Sequence, residues 1–299
     1  MLIDIHQHLW PQSFLDALRA RRTAPRLDGW TLHLPGERPY AIDPAHHDPE
    51  RRAATEPAEL VLTAPSAALG LDRLPPAEAA GLAAAWLDGA LDLPAPFKPW
   101  TMAGTREPDP AALADALDRG AVGLELPADV LAAPGGLDRI APLLELLDAA
   151  ARPLLVHPGP AGAQDDPGRP GWWAPVVPYV AQLHAAWWAW AHDGRARYPH
   201  LPVCFVALAG LGPLHGERQR ARGGSGGPVD PLTFVETSSY GTLAVDAVIR
   251  VLGIDVVCHG SDRPYAEPPR LGFGAAALHA IQSANPGRLL ARLPQEVPA

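Results

Sequence analysis

The stretch LIDIHQHLWP, residues 2–11, separates two folds that the rest of the chain would allow. Residues 2–6 read as a short β-strand. HQHLWP follows it, where the first strand of an open, doubly wound sheet is more often followed by a glycine-rich phosphate loop. Outward from there, β-rich runs recur at 60–64, 97–103, 121–126, 153–157, 203–209, 233–238 and 255–260. Between them lie Ala- and Leu-rich stretches with helical spacing, at 76–90, 110–119, 137–151, 176–193, 243–252 and 272–283. Eight strands alternating with helices predict an α/β fold with a parallel sheet, and at 299 residues a closed (β/α)8 TIM barrel, a single domain over 1–299. Several of the runs are almost continuously apolar, as strands covered on both faces are.

Two segments exceed a minimal barrel. Residues 21–59 are polar and proline-rich and follow the first strand, and 161–176, with DDPGRPGWW, follow the fifth. Loops after barrel strands lie at the carboxyl face, where sites are built, so both are expected to act as lids or substrate walls. Residues 216–231, including ARGGSGGP, read as loop.

Hydrophobic residues make up 47% and charged residues 19%, enough apolar material for a core. A formal net charge of −9 argues against nucleic acid and anionic membrane as partners, since both call for basic patches. Cys204 and Cys258 sit in apolar runs and read as buried small hydrophobes rather than a disulfide or a metal pair. No basic leader precedes an apolar stretch at the N-terminus, and no apolar run is long enough to span a bilayer, so the expected location is the cytoplasm.

Residues i and i+2 of a strand point the same way, so His6 and His8 share a face at the end of the first strand. In a barrel that face is the mouth. His157, in LLVHPG, ends the fifth strand before Pro158 and Gly159 stop it. Asp262, in VVCHGSDRPY, follows the eighth, and parity sets His259 on the opposite side. Three imidazoles and a carboxylate around one point match a catalytic divalent metal with a position left open. Zinc is expected first, with manganese or iron as alternatives sharing such donors. Glu125 ends the fourth strand; it reads either as a second-metal ligand or as a buried glutamate with an ion-pair partner. Glu236 ends the seventh and is expected to orient a ligand histidine. Asp4 lies deeper on the His6 face and must find a hydrogen-bond partner if buried. Trp10 and Trp100, at strand ends, are candidates for the wall of a substrate pocket. Arg263 could pair with a substrate carboxylate or make a structural ion pair. Trp187, Trp188 and Trp190 suggest a homodimer interface, where tryptophan is enriched. Of His33, His46 and His47 in the first insertion, one could cap the site.

IDIHQH at 3–8, VHPG at 156–159, GSDRPY at 260–265 and NPGRLL at 285–290, in that order along nearly the whole chain, resemble the amidohydrolase-related family of the amidohydrolase superfamily. That family includes metal-dependent hydrolases and decarboxylases of the aminocarboxymuconate-semialdehyde and resorcylate type. The resemblance implies a (β/α)8 barrel, a divalent metal, and His6, His8, His157 and Asp262 as ligand or near-ligand positions. It also shows a departure. Family members carry a histidine after the sixth strand in an Ala-His-x-Gly context, whereas CFVALAGLGPLHGER sets Gly210 there. His215, five residues on, either reaches in as a catalytic replacement or is a loop histidine without a role.

The expected function is hydrolysis of an amide, ester or lactone of a small molecule by a metal-activated water, with Asp262 as base. The alternatives are non-oxidative decarboxylation of an aromatic or unsaturated acid, which the missing histidine disfavours, and a non-catalytic degenerate barrel.

Overall fold

A computed structural model describes residues 1–162, 169–226 and 229–291. The first barrel strand is β1 (Ile3–Gln7). Three short strands of the first insertion follow: β2 (Arg26–Asp28), β3 (Thr31–His33) and β4 (Tyr40–Ala41). The remaining strands are β5 (Leu60–Thr63), β6 (Phe97–Pro99), β7 (Thr101–Met102), β8 (Leu124–Pro127), β9 (Leu154–His157), β10 (Val203–Phe205), β11 (Thr233–Glu236) and β12 (Val257–Cys258). Every position at which the sequence predicts a barrel strand holds one. β6 and β7 are two halves of the third: β6 pairs with β5, and β7 with β8. All barrel pairings are parallel and follow chain order.

The ring closes through the segment after β12. Ile5 N donates to His259 O at 3.1 Å, Asp262 N to His6 O at 2.9 Å and His8 N to Arg263 O at 2.7 Å. Closure therefore sets the chain around Asp262 directly against that around His6 and His8. The expected helices also form, including Pro76–Leu91, Pro178–Ala189 and Thr242–Leu252.

Trp10 and Trp100, expected to wall a pocket, are fully buried in the core. Each indole bonds a backbone carbonyl, Trp10 Nε1 to Pro65 O and Trp100 Nε1 to Ile5 O, both at 3.0 Å. A buried indole with its N–H satisfied gains the whole ring as core area, and this outweighs placement at the mouth. Of the tryptophans expected at a homodimer interface, Trp190 belongs to the core, while Trp187 and Trp188 are half-buried. Trp190 is buried, its Nε1 3.2 Å from Thr233 Oγ1, and Trp187 packs edge-on against Phe205.

The sixth strand is shorter than the predicted 203–209. Ala207, Leu208, Ala209, Gly210 and Leu211 all have positive φ, 47° to 61°. Left-handed backbone costs an L-residue roughly 1–2 kcal/mol, so this turn must be held by its surroundings. Glu236 supplies part of the hold, accepting the Ala207 N–H at 2.6 Å.

The first insertion folds as the antiparallel sheet β2–β3–β4 and short helical turns, and residues from it reach over the barrel mouth. His47 supports the insertion rather than capping the site. It stacks on Trp10, ring centroids 4.5 Å apart, and its Nδ1 accepts the Trp10 N–H at 3.0 Å. Accepting at Nδ1 requires that atom to be unprotonated. Burial first, then the charge of Arg52, pushes the His47 pKa down to about 3. A depressed folded-state value means that the unfolded chain takes up the proton earlier. The contribution is thus complete above the ordinary value of about 6.5 and is lost as pH falls towards 3. Urea unfolding at stepped pH should show stability falling by about 1 kcal/mol per pH unit in that window. His47→Gln should flatten this acid limb, and an unchanged slope would remove His47 as its cause. No helix among the described residues is long and apolar enough to cross a membrane.

Candidate metal centre

Four side chains meet at the carboxyl mouth. One ligand atom from each of His6, His8, His157 and Asp262 lies within 4.8 Å of every other. His6 comes from β1, His8 from just beyond it, His157 from the end of β9 and Asp262 from the segment that closes the ring. Asp262 owes its position to a left-handed backbone, φ 60°, and not to strand parity. His259 does lie away from the cleft, 3.8 Å from Asp4 Oδ2. Asp4 satisfies its burial by accepting from Gln7 Nε2, His6 N and Ser261 N.

All three imidazoles are held by the same nitrogen. His6 Nδ1 is 3.2 Å from Glu236 Oε1, His8 Nδ1 is 3.0 Å from Ala64 O, and His157 Nδ1 is 2.8 Å from Pro158 O. Each acceptor calls for a proton on Nδ1, which leaves each neutral ring with a lone pair on Nε2. Those lone pairs converge. His6 and His8 Nε2 atoms are 3.2 Å apart, and Asp262 Oδ1 lies 3.2 Å from His8 Nε2 and 3.7 Å from His6 Nε2. Two lone pairs and a carboxylate at this separation repel unless a cation lies among them. The donor set therefore fits a divalent metal held by nitrogen and oxygen, with outer acceptors fixing the tautomers.

The electrostatics agree. Burial works against a charged His6, but the hydrogen bond and charge of Glu236 prevail, pushing its pKa up to about 9. Without a metal, this ring takes the cation in the form of a proton. Burial, then the charges of His6 and His8, holds His157 well below the ordinary value, so it is a neutral donor. Burial would raise Asp262, yet the neighbouring imidazoles of His8, His6 and His157 hold it below the usual carboxylate range.

Glu236 is the support that the sequence predicts. Besides His6 it takes the Ala207 and Ser238 N–H groups, each at 2.6 Å, and the Ser238 hydroxyl at 2.5 Å. A Cβ at Gly260 would strike its carboxylate, which is why that position is glycine. Glu125 is buried beside the histidines but is not among the converging donors. Its Oε1 has no partner among the described residues, and burial pushes its pKa up.

Three further expectations are corrected. Arg263 lies 3.7 Å from Glu56 and 3.3 Å from Glu267, away from the cleft, and makes the structural ion pairs. His215 is exposed against His184, ring centroids 4.8 Å apart, and does not reach the cleft. Gly210 packs against the helix Pro178–Ala189, where a Cβ would meet Val180 O at 2.5 Å. The cleft positions after the sixth strand are Val206 and Ala207. Ala207 also bonds Glu236 through its N–H, and no histidine from this turn lines the cleft.

Above the centre opens a cleft of about 680 Å³. Its walls include Trp173, Tyr179, Tyr240 and Tyr265, with Glu37, Arg38 and Tyr40 from the first insertion. The Tyr265 ring is 5.4 Å from that of His8. Both insertions thus line the mouth as expected, although residues 163–168 of the second fall outside the described residues. The sequence reading missed the tyrosines. Only Tyr265, three residues after Asp262 in GSDRPY, carried a signal.

No protein-family model matches the sequence, and no curated protein matches it. Solved structures do match the fold over almost the full length. The IDCase of Metarhizium anisopliae superposes with a TM-score of 0.77 at 16% identity, covering 98% of this chain and 97% of that one. The 5-carboxyvanillate decarboxylase LigW of Sphingomonas paucimobilis gives 0.70 at 17%, covering 97% and 98%. A 5-carboxyvanillate decarboxylase of Novosphingobium aromaticivorans, with bound manganese and 3-methoxy-4-hydroxy-5-nitrobenzoic acid, gives 0.71 at 14%, covering 97% of each chain. An amidohydrolase II structure is among the others. At these identities the likeness is one of fold, a (β/α)8 barrel.

Proposed function

We propose that this chain is a metal-dependent, non-oxidative decarboxylase of an aromatic or unsaturated carboxylic acid, within the amidohydrolase superfamily. The carrying observation is the cleft: aromatic rings line the space above a three-histidine, one-carboxylate centre. The similar barrels known as decarboxylases support the reading. His6, His8, His157 and Asp262 would hold one divalent ion, zinc or manganese, whose chemistry is to withdraw electron density from a bound substrate oxygen.

The protein's own groups do the rest. Tyr179, Tyr265 and Trp173 orient the plane of the substrate. Asp262, ionised in the resting protein, takes a proton from the substrate hydroxyl and returns it to the carbon that bears the carboxylate. The bond to that carboxylate then breaks, its electron pair returning to the carbon skeleton as CO2 leaves. One solvent proton is consumed overall.

Hydrolysis is the second reading, favoured by Ala207, which leaves Asp262 without a histidine partner for protonating carbon. In D2O, metal-loaded protein offered hydroxylated benzoates should release CO2 and leave one deuterium at the vacated carbon. Turnover of lactones, esters or amides with no CO2 from any acid would replace this reading with the hydrolytic one.

A further inference from the structure

Most of the cleft is apolar or aromatic, and the metal centre takes up the polar groups at its floor. Away from that floor, Glu37 brings a carboxylate to the lid side. It sits between β3 and β4 and lines the same cleft. One part of its carboxylate is used, accepting the backbone N–H of Ala161 across the mouth. Its Oε1 is buried and has no hydrogen-bond partner among the described residues. A buried acceptor left unpaired is costly, and a bound group that completes it recovers the cost. Burial also raises the carboxyl's pKa. Tyr179 and Asp262 line the same cleft as Glu37.

We propose that Glu37 is the specificity residue of the cleft, its Oε1 accepting a hydrogen bond from a hydroxyl or N–H group on the substrate, at the end remote from the histidines. The proposal rests on the aromatic-acid reading above and narrows it: the preferred acid bears a donor besides the group that faces the metal. An analogue without that donor strands the acceptor again, which is how a polar site rejects it.

The test is binding, separate from turnover. Metal-loaded protein is titrated calorimetrically with benzoate, 3- and 4-hydroxybenzoate, and 3- and 4-aminobenzoate. At least one donor-bearing member should bind roughly tenfold or more tightly than benzoate, the worth of one satisfied buried hydrogen bond. Glu37→Leu should abolish that preference, bringing the ratio of donor-bearing to benzoate affinity to about one, with metal content and melting temperature unchanged. Glu37→Gln, which keeps a carbonyl acceptor, should retain part of it. Equal binding of all members to the wild type, no binding of any at millimolar concentration, or a preference that survives in Glu37→Leu would overturn the proposal. A preference lost in Glu37→Leu, in a protein that releases no CO2 from any acid, would uphold Glu37 and reject decarboxylation.

Discussion

Metal-loaded Asp262→Asn protein will turn over substrate roughly 10²–10⁴ times more slowly than the wild type, the loss expected when a placed proton-transfer group is removed. The substitution is well matched to the site. Asn tolerates the left-handed backbone that holds residue 262 at φ 60°. The bonds that anchor the segment, Asp262 N to His6 O and Tyr265 N to Asp262 O, both at 2.9 Å, involve only the main chain. The amide oxygen can still face His8 Nε2, where the carboxylate lies at 3.2 Å. The variant loses the capacity to carry a proton and keeps the shape. Single-turnover rates, read beside metal content, check this. A variant with normal metal and an undiminished rate would show that the proton moves by another route, and Asp262 would be left as a ligand only.

Glu236→Ala has the second largest expected effect, and it acts on two quantities at once. Loss of the carboxylate frees His6 Nδ1, so the ring loses its fixed tautomer and orientation; metal affinity should fall about 10–100-fold. Removal also strands the Ala207 and Ser238 N–H groups and the Ser238 hydroxyl. Each unsatisfied buried group costs about 1–3 kcal/mol, so a drop in melting temperature should accompany the weaker metal binding. Glu236→Gln separates the two. Its carbonyl can still accept one bond, which restores part of the stability. Competition with a chelator of known affinity measures the first effect, and calorimetry the second. Normal metal affinity in the alanine variant would show that His6 is oriented by something other than Glu236.

The parts of this molecule that follow from local rules were legible in the sequence. Alternating apolar runs and helical stretches specify the barrel, because strands buried on both faces need both faces apolar. His6 and His8 were assignable because spacing fixes their common face, and His157 because Pro158 and Gly159 end its strand. Three errors came from interactions between elements far apart in the chain. Trp10 and Trp100 lie near strand ends, as a pocket wall would, but carbonyls of Pro65 and Ile5 draw their indoles inward. Gly210 seemed to occupy the place of a histidine, but the left-handed turn shifts the register and turns Ala207 to the cleft. The polar lid residue Glu37 and the tyrosines around it had no periodicity to reveal them, since they belong to irregular insertions that only the closed fold brings over the metal centre. Asp262 joins the cluster for a reason that strand parity does not give: parity ends before it, and its own backbone conformation sets its direction.

Three buried histidines and the half-buried Asp262 are expected to hold one divalent ion. Elemental mass spectrometry of the protein purified without added metal, beside a His6→Ala, His8→Ala variant, tests this most directly. About one zinc or manganese ion per chain is expected, held by the four donors with a position left for substrate, and lost in the variant. A wild-type protein that contains no metal and takes up neither ion when offered would contradict it.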